Sequence, residues 1–239
     1  MGFKYNSGEK RKRLMAAALG LCFASLLLCS CSSAPNRTAM ARSMAPTVVI
    51  DAGHGGIDGG AFSDDGTKES DLNLAIALRL ECIVRFLGHQ TVMTRLDDSR
   101  KTDMIGYSER QDLKNRAELV NSVPNAVLIS IHQNDFPTAQ PRGAQVLYSA
   151  YGDSRQLAER IQVNLIEQLD PQNRRLAVSA PRNLYLTANT RCPAVLVECG
   201  FMSNNFEVLR LRDSTYQTSL ALVIAGSYQS YLNEKTVLQ

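Results

Sequence analysis

Residues 48 to 61 read VVIDAGHGGIDGGA. Val48, Val49 and Ile50 are β-branched and apolar, and the run breaks at Asp51 into five glycines set around one histidine. A β-branched run halted by glycine reads as a buried strand passing into a turn. Thr47 to Ile50 is therefore predicted as a strand, and its carboxyl end delivers His54 to the edge where open α/β sheets bind ligands.

Whether the chain makes such a sheet depends on the residues beyond Ala61. Leu72, Ile76, Leu80, Ile83 and Leu87 mark one helical face that stops at Gly88, a C′ glycine. Thr91 to Thr94 is a second strand. Ser108-Glu-Arg-Gln111 fits a capping box for a helix running to about Val120, before Pro124. Ala126 to Ile131 is almost continuously apolar, as a strand covered on both faces should be. Gly143 to Tyr148 is a further strand, and Leu157, Ile161, Leu165 and Leu169 step along a third helix that ends before Pro171. Leu184 to Thr187 and Pro193 to Val197 complete the strands, and Leu220, Ile224, Tyr228 and Tyr231 share one face of a last helix. Strand and helix alternate, so the expected fold is a single α/β domain: a mostly parallel sheet of about six strands flanked by helices.

The amino terminus reads differently. Lys4, Lys10, Arg11, Lys12 and Arg13 precede an uncharged stretch from Leu14 to Leu28, and Leu28-Cys-Ser-Cys31 comes next. This is the layout of an export signal. A transmembrane anchor is the alternative, but about 15 apolar residues fall short of the ~20 that span a bilayer. The ending resembles the lipobox of bacterial lipoproteins, which implies a signal peptide over residues 1–30, cleavage before Cys31 and a lipid on its thiol. Residues 31–46, rich in Ser, Ala, Pro and Arg, read as a tether, and 47–239 as the folded domain.

Removing the signal changes the charge. The whole chain is +3, but residues 1–30 hold five of its 26 basic residues and one of its 23 acids, leaving 21 against 22, a net of −1. A basic nucleic-acid footprint is absent. Cys82, Cys192 and Cys199 have irregular spacing and no Cys-x-x-Cys, so they read as buried free thiols, with Cys192 and Cys199 on one extended strand.

The chain has three histidines. His54 follows the first strand, His132 follows the apolar run Val127 to Ile131, and His89 follows Gly88 in a turn where solvation explains it. Glu198 stands where the apolar run Val195 to Val197 stops. Three such strand ends suggest one shared site. Each has a plainer explanation: a scaffold histidine, an unseen arginine beside Glu198, or an anion nest in the glycines. Spacing alone leaves these open.

VVIDAGHGGIDGGA, KESDLN, SIHQND and PAVLVECGFMSN, in that order, closely resemble the catalytic domain of zinc-dependent N-acetylmuramoyl-L-alanine amidases, over about residues 47 to 233. The resemblance implies Zn²⁺ ligands at His54, Glu69 and His132, a catalytic Glu198, and hydrolysis of the amide between N-acetylmuramic acid and L-alanine in peptidoglycan. Without it, Glu69 is an ordinary acid at a helix start. Gly106-Tyr-Ser-Glu-Arg110 and Pro193 to Asn204 are similar to the spore-cortex subgroup, whose members often carry a membrane-spanning amino terminus where this chain has a lipobox.

Some family members insert an inhibitory helix near the site, whereas here only a few residues join Gly143–Tyr148 to the next helix. The expectation is an uncovered groove in a monomer with no obligatory activator, lipid-anchored outside the cytoplasm. Another zinc-dependent peptidoglycan peptidase or deacetylase, and a lipoprotein that only binds peptidoglycan, are the alternatives.

Overall fold

The computed structural model describes residues 45–98 and 108–237. The expected signal segment, Cys31, all but the end of the expected tether, and Gly106 and Tyr107 of the subgroup motif lie outside the described residues.

The elements run β1 (Thr47–Ala52), α1 (Glu69–Phe86), β2 (Thr91–Met93), α2 (Glu109–Ser122), β3 (Ala126–Asn134), β4 (Gln145–Tyr148), α3 (Ser154–Leu169), β5 (Val178–Ser179), α4 (Tyr185–Asn189), β6 (Ala194–Phe201), α5 (Asn205–Arg212) and α6 (Ser214–Val237). They form one α/β domain with a six-stranded sheet in the order β2-β1-β3-β6-β4-β5. Every neighbouring pair is parallel except β4 with β6. No helix among the described residues is long and apolar enough to cross a membrane.

Alternation along the strands sorts the side chains onto two faces. Val48, Ile50, Val127, Ile129, Ile131, Val195 and Val197 face a core shared with α1, α3 and α6. Val49, Leu128 and Ala194 point the other way, under Val120 of α2 and Leu186 of α4. On this second face the strands change character as they rise. Val49 gives way to Asp51, Leu128 to Ser130 and His132, and Ala194 to Leu196 and Glu198. The lower part packs, and the polar upper part floors a cavity.

Several expectations change. The histidine and glutamate do not end their strands: β3 continues to Asn134 and β6 to Phe201, because ladder pairing requires only backbone groups, and a register shift follows the His132–Glu198 pair. Leu184 to Thr187 is not a strand but the start of α4, with Ala188 N–H donating to the Leu184 carbonyl at 3.0 Å. The sixth strand is instead the two-residue β5, pairing Leu147 with Val178. Short apolar runs do not separate helix from strand by period. Helix α5 has no counterpart among the expected elements.

Cys192 lies in a bend before β6 rather than on it, and Cys82 is exposed, while Cys192 and Cys199 are buried free thiols. His89 is more than solvated: its Nε2 meets Gln229 Oε1 at 2.8 Å and its ring packs edge-on to Tyr228 of α6.

Candidate active site

His54 occupies the first residues after β1 with φ of +58°, a left-handed conformation that non-glycine residues rarely adopt. Glu69 opens α1, and His132 stands on β3 directly beside Glu198 on β6. These four side chains, brought from two strands, a turn and a helix, line one cavity of about 290 Å³ between α2 and α4.

His54, Glu69 and His132 form a set that could hold a metal ion, with one ligand atom from each lying within 4.8 Å of the others. His54 Nε2 is 3.3 Å from Glu69 Oε2, and His132 Nδ1 is 3.0 Å from Glu69 Oε1. The rings stand edge to face, 5.0 Å apart. Glu69 is itself held: Oε2 accepts from Ala61 N–H, and Oε1 from Gln133 N–H and from Asn73 Nδ2 at 3.1 Å. Asp58 Oδ2 meets His54 Nδ1 at 2.8 Å, the outer hydrogen bond that fixes the tautomer of a ligating imidazole.

Two glycines make room for the rings. A Cβ on Gly53 would stand 2.2 Å from the His132 imidazole, and one on Gly60 would stand 2.6 Å from Glu69 Oε2 and 2.7 Å from the His54 ring. The amides of Gly53, Gly55, Gly56 and Gly60 are spent on acceptors within the chain rather than on an anion nest. Gly55 donates to the Asp58 carbonyl, Gly56 to Asp98 and Gly60 to Asp58.

The charges are strongly coupled. Burial works against protonated His54, yet its hydrogen bonds to Asp58 and Glu69 raise it to about 10. His132 also rises despite burial, through Glu69. Burial would lift the Glu69 acid, but both imidazoles outweigh it and hold the carboxyl well below the usual range. The same three side chains could hold a cation in place of those protons.

Glu198 differs. Burial pushes its acid up to about 7, with Glu69 adding to the rise and His132 opposing it. Its Oε2 is buried without a hydrogen-bond partner. No arginine pairs with it among the described residues. The buried Arg116 pairs with Asp51 instead, its Nη1 donating to Asp51 Oδ1 at 2.6 Å.

Sequence reasoning missed this support. Arg116 also donates to the carbonyls of Ala52 and His54, at 2.8 and 2.7 Å, and Arg95 to those of Ala52, Gly53 and Ser70. Asp58 and Asn73 did carry a signal, standing four residues beyond His54 and Glu69.

Two imidazoles and a carboxylate gathered at the upper edge of a largely parallel sheet, beside a buried acid with an unsatisfied oxygen, form the arrangement of a hydrolase with a possible metal site. Residues 48–229 match the N-acetylmuramoyl-L-alanine amidase family, and the chain belongs to it. It is 34% identical over 196 residues to the germination-specific N-acetylmuramoyl-L-alanine amidase of Bacillus subtilis, covering 79% of this chain and 80% of that one. The CwlD amidase of Clostridioides difficile, solved in complex with the GerS lipoprotein, superposes with a TM-score of 0.75 at 38% identity, over 79% of this chain and 99% of that one. AmiC2 of Nostoc punctiforme superposes at 0.68 with 31% identity, over 79% and 97%. The activity is hydrolysis of the muramoyl–alanine amide of peptidoglycan.

Proposed function

We propose that His54, Glu69 and His132 hold a Zn²⁺ ion and that Glu198 carries the proton in amide hydrolysis. The donors fit the ion: nitrogen and oxygen ligands from three side chains are the catalytic zinc pattern, which leaves a coordination position open. The observation that carries the reading is the convergence of three ligand atoms within 4.8 Å beside the unpartnered Glu198 Oε2. Bound there, zinc supplies Lewis-acid chemistry, making water nucleophilic near neutral pH and polarising a carbonyl.

The chain's own residues do the rest. Asp58 and Asn73 hold His54 and Glu69 in their ligating orientations. Glu198, raised to about 7, is poised both to take and to give a proton near neutrality. It accepts one from the water that attacks the lactyl amide carbonyl and passes it to the departing amino group of L-alanine. The C–N bond breaks, the water oxygen stays on the lactyl carboxyl, and Glu198 is regenerated.

Glu198→Gln is expected to keep metal and fold and to lose at least about 100-fold in turnover. His54→Ala and His132→Ala are expected to lose the metal. Metal analysis beside mass spectrometry of digested peptidoglycan tests this, since peptidase or deacetylase products would overturn the bond assignment. Metal-loaded Glu198→Gln with near wild-type turnover would overturn the role of Glu198.

We further place the protein outside the cytoplasm, held to the membrane by a lipid on Cys31. The basic head, apolar run and lipobox support this, and Cys31→Ser should move the protein from the membrane to the soluble fraction. Residues 149–153 alone connect β4 to α3, which supports activity without an activator. The CwlD neighbour was solved in complex with a lipoprotein; a rise in the activity of the purified protein on adding such a partner would overturn this reading.

A further inference from the structure

Paired positions on adjacent strands share a face of the sheet. His132 pairs with Glu198, and Glu198 pairs with Gln145 of β4. The three therefore form one row across the top of the sheet on the cavity side. At roughly 4.8 Å per strand, Gln145 lies about 10 Å from His132 along that row.

The row ends in arginines. Arg175 Nη1 donates to Gln145 Oε1 at 3.1 Å, and Arg175 Nε to the Arg142 carbonyl at 2.9 Å. Arg175 lies over the Phe201 ring. Arg142 reaches Gln172 Oε1 and Arg174 reaches the Pro171 carbonyl, so all three guanidiniums are tied to the adjoining segments 142–145 and 171–175. Arg142 and Arg174 are exposed. Among the described residues none of the three forms an ion pair. The cavity, by contrast, offers no free guanidinium among its lining residues. Asp58, Glu69, Asp112, Asp135 and Glu198 line it, and its cation, Arg116, is spent on Asp51 and Asp112.

The substrate has a matching polarity. Its glycan is uncharged sugar amide, whereas the stem peptide beyond alanine bears free carboxylates. An extended peptide advances about 3.3–3.6 Å per residue, so about 10 Å is three residues. The geometry points to an anion subsite in which Arg142, Arg174 and Arg175 receive the stem-peptide carboxylates two or three residues beyond the scissile amide. It sets the direction in which substrate lies: glycan over the cavity between α2 and α4, peptide across β4 toward β5. This rests on the amidase reading of the site.

The test uses full-length, metal-loaded protein and two soluble muramoyl peptides, one with free stem carboxylates and one with those carboxylates amidated. Arg142→Glu/Arg174→Glu leaves the Arg175 stack intact and should melt like the wild type. On the free acid its KM should rise about tenfold with kcat within about twofold, and the gap should shrink in about 0.5 M salt. On the amidated peptide the variant and wild type should agree. An unchanged KM on the free acid, or an equal loss on both peptides, overturns the subsite alone. Failure of the wild type to cleave either peptide overturns the subsite and the amidase reading together.

Discussion

His54 sits in a backbone conformation that costs on the order of 1 kcal/mol for a residue with a Cβ, and two arginines impose it. Arg95 and Arg116 together bind the carbonyls of Ala52, Gly53 and His54, so the turn leaving β1 is clamped at three successive peptides. Asp51 balances the charge. Burial alone would raise its acid, but Arg116, with His132, Ser130 and Thr94 assisting, lowers it to about 2 from 3.8. A depressed carboxyl stabilises the fold above its unfolded value and loses that contribution as pH falls through the folded one, here between about pH 4 and pH 2. The contribution is about 2 kcal/mol. Arg116→Ala leaves Asp51 buried and unpaired, so it should cost about 3–5 kcal/mol at neutral pH. The variant should also lose the acid step between about pH 4 and pH 2, which urea titrations across that range would show. An acid profile parallel to the wild type would remove Arg116 from this role. The sequence displayed the residues that stop apolar runs, His54, His132 and Glu198, while Glu69 stood out only through a family motif. It hid the clamp, because Arg116 meets Asp51 across 65 positions and Arg95 meets Gly53 across 42.

The elements divide along the same line between local and distant causes. Helix α1 ends as its glycine indicates: Gly88, at φ of +92°, donates to the Arg85 carbonyl, and the next amide, His89, donates to Val84, which together make a Schellman ending. Gly88→Ala forces a Cβ into that left-handed position and should cost about 1 kcal/mol. That lowers the melting temperature by about 2–4 °C for a domain of this size, a shift that calorimetry resolves. The predicted capping box on α2 is half made. Ser108 Oγ accepts from Gln111 N–H, but the Gln111 side chain turns along the helix to Asn115. Asn204 shows the converse, since its side chain accepts from Phe206 and Glu207 N–H and starts α5. Asn-x-x-Glu is a readable start signal, obscured because the run it opens is short and charged. Helix α4 was the segment that local pattern could not settle. Leu186 and Thr187 are buried beneath the α2 layer, and burial of a four-residue apolar run suits a helical turn as well as a strand.

In the molecule as a whole, the proposed ligands tie to the sheet a segment that lies outside it. His54 belongs to the turn after β1, Glu69 to the first turn of α1 and His132 to β3, so one ion would fasten the glycine-rich segment 53–68 at both of its ends. The unfolded chain has no such preformed site, and a ligand that binds only the folded state stabilises by RT ln(1 + [L]/Kd). At a free zinc concentration 1,000 times Kd this is about 4 kcal/mol, or a rise of about 8–16 °C in melting temperature. Chelation of the full-length protein should reverse it. Two variants separate this linkage from a general effect of zinc on the surface. Glu198→Gln should show the full rise while remaining inactive, because it alters the proton carrier and no ligand, whereas His132→Ala should melt at the same temperature with and without zinc. A zinc-dependent rise in His132→Ala equal to that of the wild type would place the ion elsewhere.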